Sequence, residues 1–373
     1  MCKVLKSPSA YVQGPGVSAA LAKYMAGMGN RILVLMSEGG FRRFWPSVEA
    51  SFAGSPISLF PDLFHGECSR PELQRIVSCA KERQVSGILG IGGGKVLDTA
   101  KGAACLAELP VGIMPTSAAT DSPCSSLSVV YHEDGTFDRY LFLNRCPDVV
   151  MVDTQWICAA PPALLAAGMG DAMATWFEAR ACRASGKKNQ AGGLPSQTAS
   201  ALARLCWTVL RRDGKNALLA AERGICTPAF ENIVEANTYL SGVGFESGGL
   251  AAAHAIQKGF TYIPELHSAY HGCKVAFCTL VQLALEHAGT AEIRRVLRFC
   301  GEVGLPVCFR DFGWRVPNES LLHLAAEKAC AEGSSIHNMP FPVTPQMVFE
   351  ALLEADQIGA DYRSEAEIPQ QIP

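Results

Sequence analysis

The chain has 373 residues, and at roughly 100 to 200 residues per domain that length accommodates two or three domains with substantial cores. Hydrophobic residues make up 49% and charged residues 18%, which excludes a chain that is mainly disordered. With 32 Lys and Arg against 35 Asp and Glu, a formal net charge of -3 and no long run of one sign, the basic footprint of a nucleic-acid binder is missing, and the expected partner is a small molecule. The 15 cysteines run from Cys2 to Cys330 in odd number and without a Cys-x-x-Cys pair, so they read as reduced thiols and not as disulfides or a zinc knuckle. No apolar run of signal-peptide type follows Met1. The longest charge-free window, Thr154 to Gly170, contains Pro161 and Pro162 and is too short to span a bilayer. The expected setting is cytoplasmic and off the membrane.

In chain order, Arg31 to Met36 reads as a buried strand closed by Glu38-Gly39-Gly40. Ser69-Arg70-Pro71-Glu72 has the form of a capping box, and Leu73, Ile76, Val77 and Ala80 follow at helical spacing, which predicts a helix over about 70–84. Gly87 to Ile91 is a second buried strand. Gly92-Gly93-Gly94 turns it into an Ala-rich helix that begins near Lys95. Val111 to Met114 is a further strand leading into Pro115 to Asp121. Ser125 to Tyr131 and Arg139 to Leu143 flank Glu133-Asp134-Gly135, a hairpin signal that predicts an antiparallel excursion. Asp148 to Val152 is one more strand. Beyond Pro161-Pro162 the strand signals cease, and segments such as Ala199 to Leu210, Ala229 to Leu240 and Leu321 to Ala331 are helical. The pattern predicts a parallel α/β domain over 1–160 and an all-α domain over 161–373, with the tail after about Ser364 weakly ordered.

Chemistry can be sought in four places. Gly90-Ile91-Gly92-Gly93-Gly94-Lys95 lies between strand and helix, where glycines admit a phosphate to the helix N-terminus. It is neither a dinucleotide fingerprint nor a P-loop, and a tight turn kept for packing explains it as well. Asp121 follows a strand C-terminus, where open α/β sheets place ligands, although Asp121-Ser122-Pro123 is also ordinary turn chemistry. His254, His267 and His271 cluster in a helical region, with His267 and His271 spaced to share a helix face but without a His-Glu-x-x-His pattern. Gly168-Met169-Gly170-Asp171 puts a carboxylate at an expected helix start, where N-capping is the simple explanation.

Taken together these segments resemble the polyol-oxidising branch of the iron-containing alcohol dehydrogenase superfamily. The resemblance is carried by Gly90 to Lys95 with Asp98-Thr99-Ala100-Lys101, by Pro115 to Asp121, by Gly170-Asp171-Ala172 with Ala174 to Arg180, by Glu235 to Gly249, by Ala253-His254-Ala255, by Tyr270-His271-Gly272 with Lys274 to Phe277, and by Ile336 to Pro340. It implies a Rossmann-like nucleotide-binding domain, a helical metal-binding domain and a site in the cleft between them. It also implies NAD-linked oxidation of glycerol to dihydroxyacetone by a homo-oligomer, expected to be an octamer. Gly93, Gly94, Lys95, Asp98, Thr116, Ala119, Ser125, Leu127 and Tyr131 would then line the coenzyme. Asp121 would contact the polyol, and Asp171, His254 and His271 would hold one divalent metal, zinc or else iron, and serve catalysis with it.

Some positions depart from that pattern. Ser37 stands where an aspartate would bind the adenosine ribose, with Glu38 beside it; Ala119 replaces a serine, and Gln257, Ser268 and Cys273 replace residues commonly His, His and Glu. Glu38 is expected to take over the ribose contact from a strand end made flexible by Gly39-Gly40, while Arg42 and Arg43 leave NADP open. A related diol dehydrogenase or hydroxyketone reductase is the alternative within the fold. A lyase of the dehydroquinate synthase type would need a more basic pocket than the surroundings of Asp121 offer, and loss of catalysis fits poorly with an intact ligand set. His267 or a water relay would accept the substrate proton.

Overall fold

A computed structural model of the chain describes residues 2–367. Six parallel strands, β1 (Ala10–Gly14), β2 (Arg31–Met36), β3 (Ser58–Leu63), β4 (Gly87–Gly92), β5 (Val111–Pro115) and β8 (Val149–Asp153), form one sheet in the order β1-β8-β5-β4-β2-β3. The pair between, β6 (Leu127–Tyr131) and β7 (Phe137–Phe142), is a separate antiparallel hairpin, as its Asp-Gly signal predicts. The apolar runs are long because both faces of the sheet are covered. Side chains alternate across it: Leu33, Leu35, Ile88 and Val150 pack on one face against Leu73 and Ile76, while Ile32, Val34, Leu89 and Met151 pack on the other against Met25, Phe44 and Val48.

Local chemistry sets the helix starts. Ser69 accepts a hydrogen bond from Glu72 N, and the helix it caps runs from Arg70 to Glu82. The helix after the glycine-rich turn is Gly94–Leu106. At the end of β2 the expectation of a flexible glycine pair is corrected. Ser37 caps a helix over Glu38–Ser51 by accepting from Gly40 N at 3.2 Å, so Gly39 and Gly40 lie in its first turn. A hydroxyl followed by an acidic residue is a helix start, and here that signal outweighs the glycines.

After β8 every element among the described residues is helical. The longest-range organiser is the helix Pro162–Ser185, which packs against Gln197–Glu222, Ser241–Gly248 and His271–Leu285. Asp171 is therefore well inside a helix and not at its start; Pro162, in the first turn, sets the beginning earlier than the glycines suggest. Gly168 and Gly170 serve close approach instead. A Cβ at Gly168 would come within 1.8 Å of the Ala118 carbonyl oxygen, and one at Gly170 within 2.4 Å of the Gly272 carbonyl oxygen. Ala229 to Leu240 is helical as expected but changes pitch. Pro228–Glu235 runs through a π turn, Ala236–Leu240, into Ser241–Gly248. The last helix, Pro345–Glu367, continues past Ser364, and the remainder of the expected weak tail, 368–373, lies outside the described residues. No helix among the described residues is long and apolar enough to cross a membrane.

Two glycines separate close packing from flexibility. Gly170→Ala is expected to lower stability by about 1–3 kcal/mol through overpacking, read as a lower urea midpoint. Gly39→Ala, where an added methyl meets nothing within 4 Å, is expected to hold stability or raise it by up to about 1 kcal/mol. A loss at Gly39 equal to that at Gly170 would contradict the helical first turn.

Candidate active site

Where β4 and β5 end, the hairpin folds over the sheet edge and the helix Ala252–Gly259 comes up from the opposite side, leaving a cavity of about 420 Å³. Asp171, His254 and His271 meet at its floor, each offering one ligand atom, all within 4.8 Å of one another. Asp171 Oδ1 lies 3.3 Å from His254 Nε2 and 3.2 Å from His271 Nε2, and Oδ2 accepts from the Asp121 backbone N–H at 3.3 Å. Asp171 has no solvent exposure, whereas the His271 side chain is 42% exposed and opens the cluster toward the cavity.

Glu178 completes this arrangement and is a residue the sequence reasoning missed. It is fully buried; His254 Nδ1 donates to its Oε2 at 2.5 Å, and the Ala251 and His254 backbone N–H groups donate to Oε1 at 2.9 and 3.0 Å. With Nδ1 committed, Nε2 is the nitrogen presented to a cation. The signal was available, because Glu178 follows Asp171 by two helical turns and shares its face.

Electrostatics fit a cation. Burial opposes a charged His254, but the Glu178 and Asp171 carboxylates outweigh it and raise its pKa well above the ordinary imidazole range. Burial likewise favours a neutral Asp171, yet His271 and His254 hold its carboxyl below the usual range. Asp121 is pushed up by burial and then by the Asp171 charge. Asp171, His254 and His271 form a donor set suited to a divalent ion, with the Glu178 carboxylate behind His254 and Asp121 beside Asp171. Asp121 lines the cavity and accepts from Ser241 Oγ at 2.8 Å, and Ser241 in turn bonds Thr175 Oγ1 at 2.8 Å.

The nucleotide side also fits its expected ligand. The Gly94–Leu106 helix has Gly93 at its N-cap with no side-chain cap, and a Cβ at Gly93 would meet nothing within 4 Å, so no side chain satisfies the first N–H groups and the start of the helix leaves room of the kind a phosphate uses. Of the residues expected around the coenzyme, Gly94, Lys95, Asp98, Ala119, Ser125, Leu127 and Tyr131 line the cavity. Ser37, Glu38, Gly93 and Thr116 lie outside that lining; Ser37 caps its helix, and Glu38 pairs with Arg42 at 2.7 Å. Asp98 has its oxygens occupied by Ser122 Oγ at 2.7 Å, Val129 N at 3.0 Å and the buried Lys101 Nζ at 3.0 Å. It braces the hairpin and the Asp121 loop against the helix.

His267 does not share a helix with His271. It follows a short 3-10 turn, is exposed, and has its Nε2 2.9 Å from the carbonyl oxygen of Thr261, which lines the cavity although His267 itself does not. The turn over 267–269 and the helix start at His271 break the spacing that suggested one face. Gln257 lines the cavity, Ser268 is exposed, and Cys273 packs against the core.

A cluster that could hold a cation and an uncapped helix start beside one cavity fit a metal-assisted oxidoreductase with a nucleotide cofactor. Comparison with known proteins agrees in detail: the chain belongs to the iron-containing alcohol dehydrogenase family, whose model, Iron-containing alcohol dehydrogenase, matches residues 8–154. It is 49% identical to the glycerol dehydrogenase of Escherichia coli O6:H1 across 98% of this chain and 100% of that one. It is 42% identical to the glycolaldehyde reductase of Halobacterium salinarum across 97% and 100%. The crystal structure of glycerol dehydrogenase from Schizosaccharomyces pombe superimposes with a TM-score of 0.95 at 33% identity, covering 100% of this chain and 94% of that one. The family implies NAD and a divalent metal.

Glu178→Gln keeps the size of the side chain but removes the charge behind His254. It is expected to weaken metal binding about 10- to 100-fold, measured by competition with a chelator. Unchanged affinity would show that His254 needs no support from that carboxylate.

Proposed function

We propose that this chain oxidises glycerol to dihydroxyacetone with NAD and catalyses the reverse reduction, with one zinc ion held by Asp171, His254 and His271. The observation that carries the reading is the convergence of those three side chains, with Asp121, on the cavity that the bare helix start also faces. The domain division near residue 160 then separates a nucleotide half, 1–160, from a metal half, 161–373. A divalent ion supplies Lewis acidity toward the substrate hydroxyl, and the nicotinamide supplies the hydride acceptor.

The chain's own residues do the rest. Asp171 fixes the two imidazoles relative to each other, and Glu178 sets the His254 tautomer. Asp121 is fixed through Ser241, which leaves its other oxygen to accept a hydrogen bond from a hydroxyl next to the reacting carbon. The apolar walls supplied by Leu127, Phe245 and Leu250 limit water beside the transferring hydride. NAD is preferred over NADP because Glu38 puts a carboxylate at the end of β2, although its pairing with Arg42 softens the repulsion of a 2'-phosphate. Fifteen free thiols accord with a reducing, cytoplasmic setting, and a homo-oligomer is part of the same reading.

Asp121→Asn is expected to lower kcat/KM for glycerol about 5- to 100-fold, equivalent to about 1–3 kcal/mol of lost hydrogen bonding, with a smaller effect on 2-propanol. Equal losses on both alcohols would assign Asp121 to the loop's structure instead. Metal removal is the direct experiment on the reading as a whole. Chelated enzyme is expected to lose glycerol oxidation and regain it with zinc, while NAD binding, measured by calorimetry, persists. Full turnover in metal-free protein would overturn the assignment.

A further inference from the structure

The charged side chains that line the cavity have partners, with one exception. Lys95 Nζ meets Glu67 Oε2 at 2.5 Å, Asp98 pairs with Lys101, Asp121 is held by Ser241, and the two histidines belong to the Asp171 cluster. Lys258 lines the same cavity but has neither an ion pair nor a side-chain hydrogen bond among the described residues. Its ammonium rests 3.9 Å from the centre of the Phe137 ring and 5.6 Å from that of Tyr140, both on β7. Rings attract a cation through their faces but leave its N–H donors without acceptors. Burial depresses the Lys258 pKa, which registers the cost of holding a charge there without a counter-ion.

Its position relative to the metal cluster gives the charge a use. Lys258 follows His254 by one turn on the helix Ala252–Gly259, about 6 Å along the axis. His254, His271 and Lys258 all line the one cavity, so a substrate whose reacting hydroxyl lies at the Asp171, His254 and His271 cluster shares its enclosure with the Lys258 ammonium. We propose that Lys258 forms an anion-recognising end of the substrate cavity, which extends the substrate range to vicinal diols carrying a carboxylate or phosphate on the remaining carbon. This rests on the reading of the site as a diol dehydrogenase. The C2–H bond breaks with its electron pair passing to the nicotinamide, the C2 hydroxyl proton leaves to water, and C2 becomes a carbonyl; the anionic group is unchanged.

The test compares kcat/KM on glycerol, glycerate and glycerol 3-phosphate for the zinc-loaded wild type, Lys258→Met and Lys258→Arg. Met keeps an apolar stem over Phe137 without the charge, and Arg keeps the charge. The wild type is expected to oxidise at least one of the anions. The ratio of anionic to neutral kcat/KM should fall about 10- to 100-fold in Lys258→Met and stay within about threefold in Lys258→Arg. A fall for glycerate alone assigns the site to carboxylates, and for glycerol 3-phosphate alone to phosphate esters. An unchanged ratio in Lys258→Met, or a wild type that neither oxidises nor is inhibited by either anion, overturns the proposal and leaves Lys258 as a packing contact between helix and hairpin. Glycerol turnover by the wild type reports separately on the diol dehydrogenase reading.

Discussion

Asp171 has no solvent exposure, yet its carboxylate must meet imidazoles from two other helices and a backbone N–H from the loop after β5. Those partners can reach it only because backbone packs on backbone around it. Gly168 admits the Ala118 carbonyl, Gly170 admits that of Gly272, and Gly272 admits that of Ala167. Any side chain at these points would separate the elements by more than a hydrogen bond tolerates. The position of the candidate metal site is thus set by three missing side chains as much as by Asp171, His254 and His271 themselves.

The α/β part of the chain is tied to this point by polar contacts of a different kind. Lys101 is fully buried, and its ammonium is surrounded by Asp98 and the carbonyls of Ser122 and Leu127 at 2.7 and 2.5 Å. Asn237 reaches from the π turn to the Ala118 and Leu165 carbonyls at 2.9 and 3.2 Å. Each of these side chains joins the Asp121 loop, or the hairpin beside it, to a helix. Such buried networks are costly when broken, and here they hold the cavity-lining residues of the Asp121 loop.

The four central parallel strands and the capped helix at Ser69 were legible because their cause is local: apolar runs for two-sided burial and a hydroxyl placed before a proline. The edge strands β1 and β3, only partly buried, carry no such run and were missed. Asp171, His254 and His271 were legible only through family resemblance, since positions spread over 100 residues carry no spacing signal. The errors arose where a glycine has two possible meanings. Gly39-Gly40 and Gly168 to Gly170 were taken for breaks, and both lie within helices, the first by virtue of the Ser37 cap and the second because packing requires small residues. His267 and His271 failed as a pair because their spacing assumes one continuous helix, and the chain turns between them. Glu178 was overlooked although its phase relative to Asp171 was readable.

A π turn holds one residue more than the α turn it replaces, so Ala236–Leu240 sets the phase of everything after it in that helix. If the same residues wound at regular α pitch instead, the extra residue would rotate the next segment by about 100°. Ser241 would swing away from Asp121, and Glu246 away from the Ser126 backbone N–H that it accepts at 3.1 Å. Neither partner could follow, since both belong to a loop braced from the other side. The segment works as a phase spacer: it absorbs one extra residue, so a one-residue deletion within it that returned the turn to α pitch would leave Ser241 and Glu246 facing the same partners.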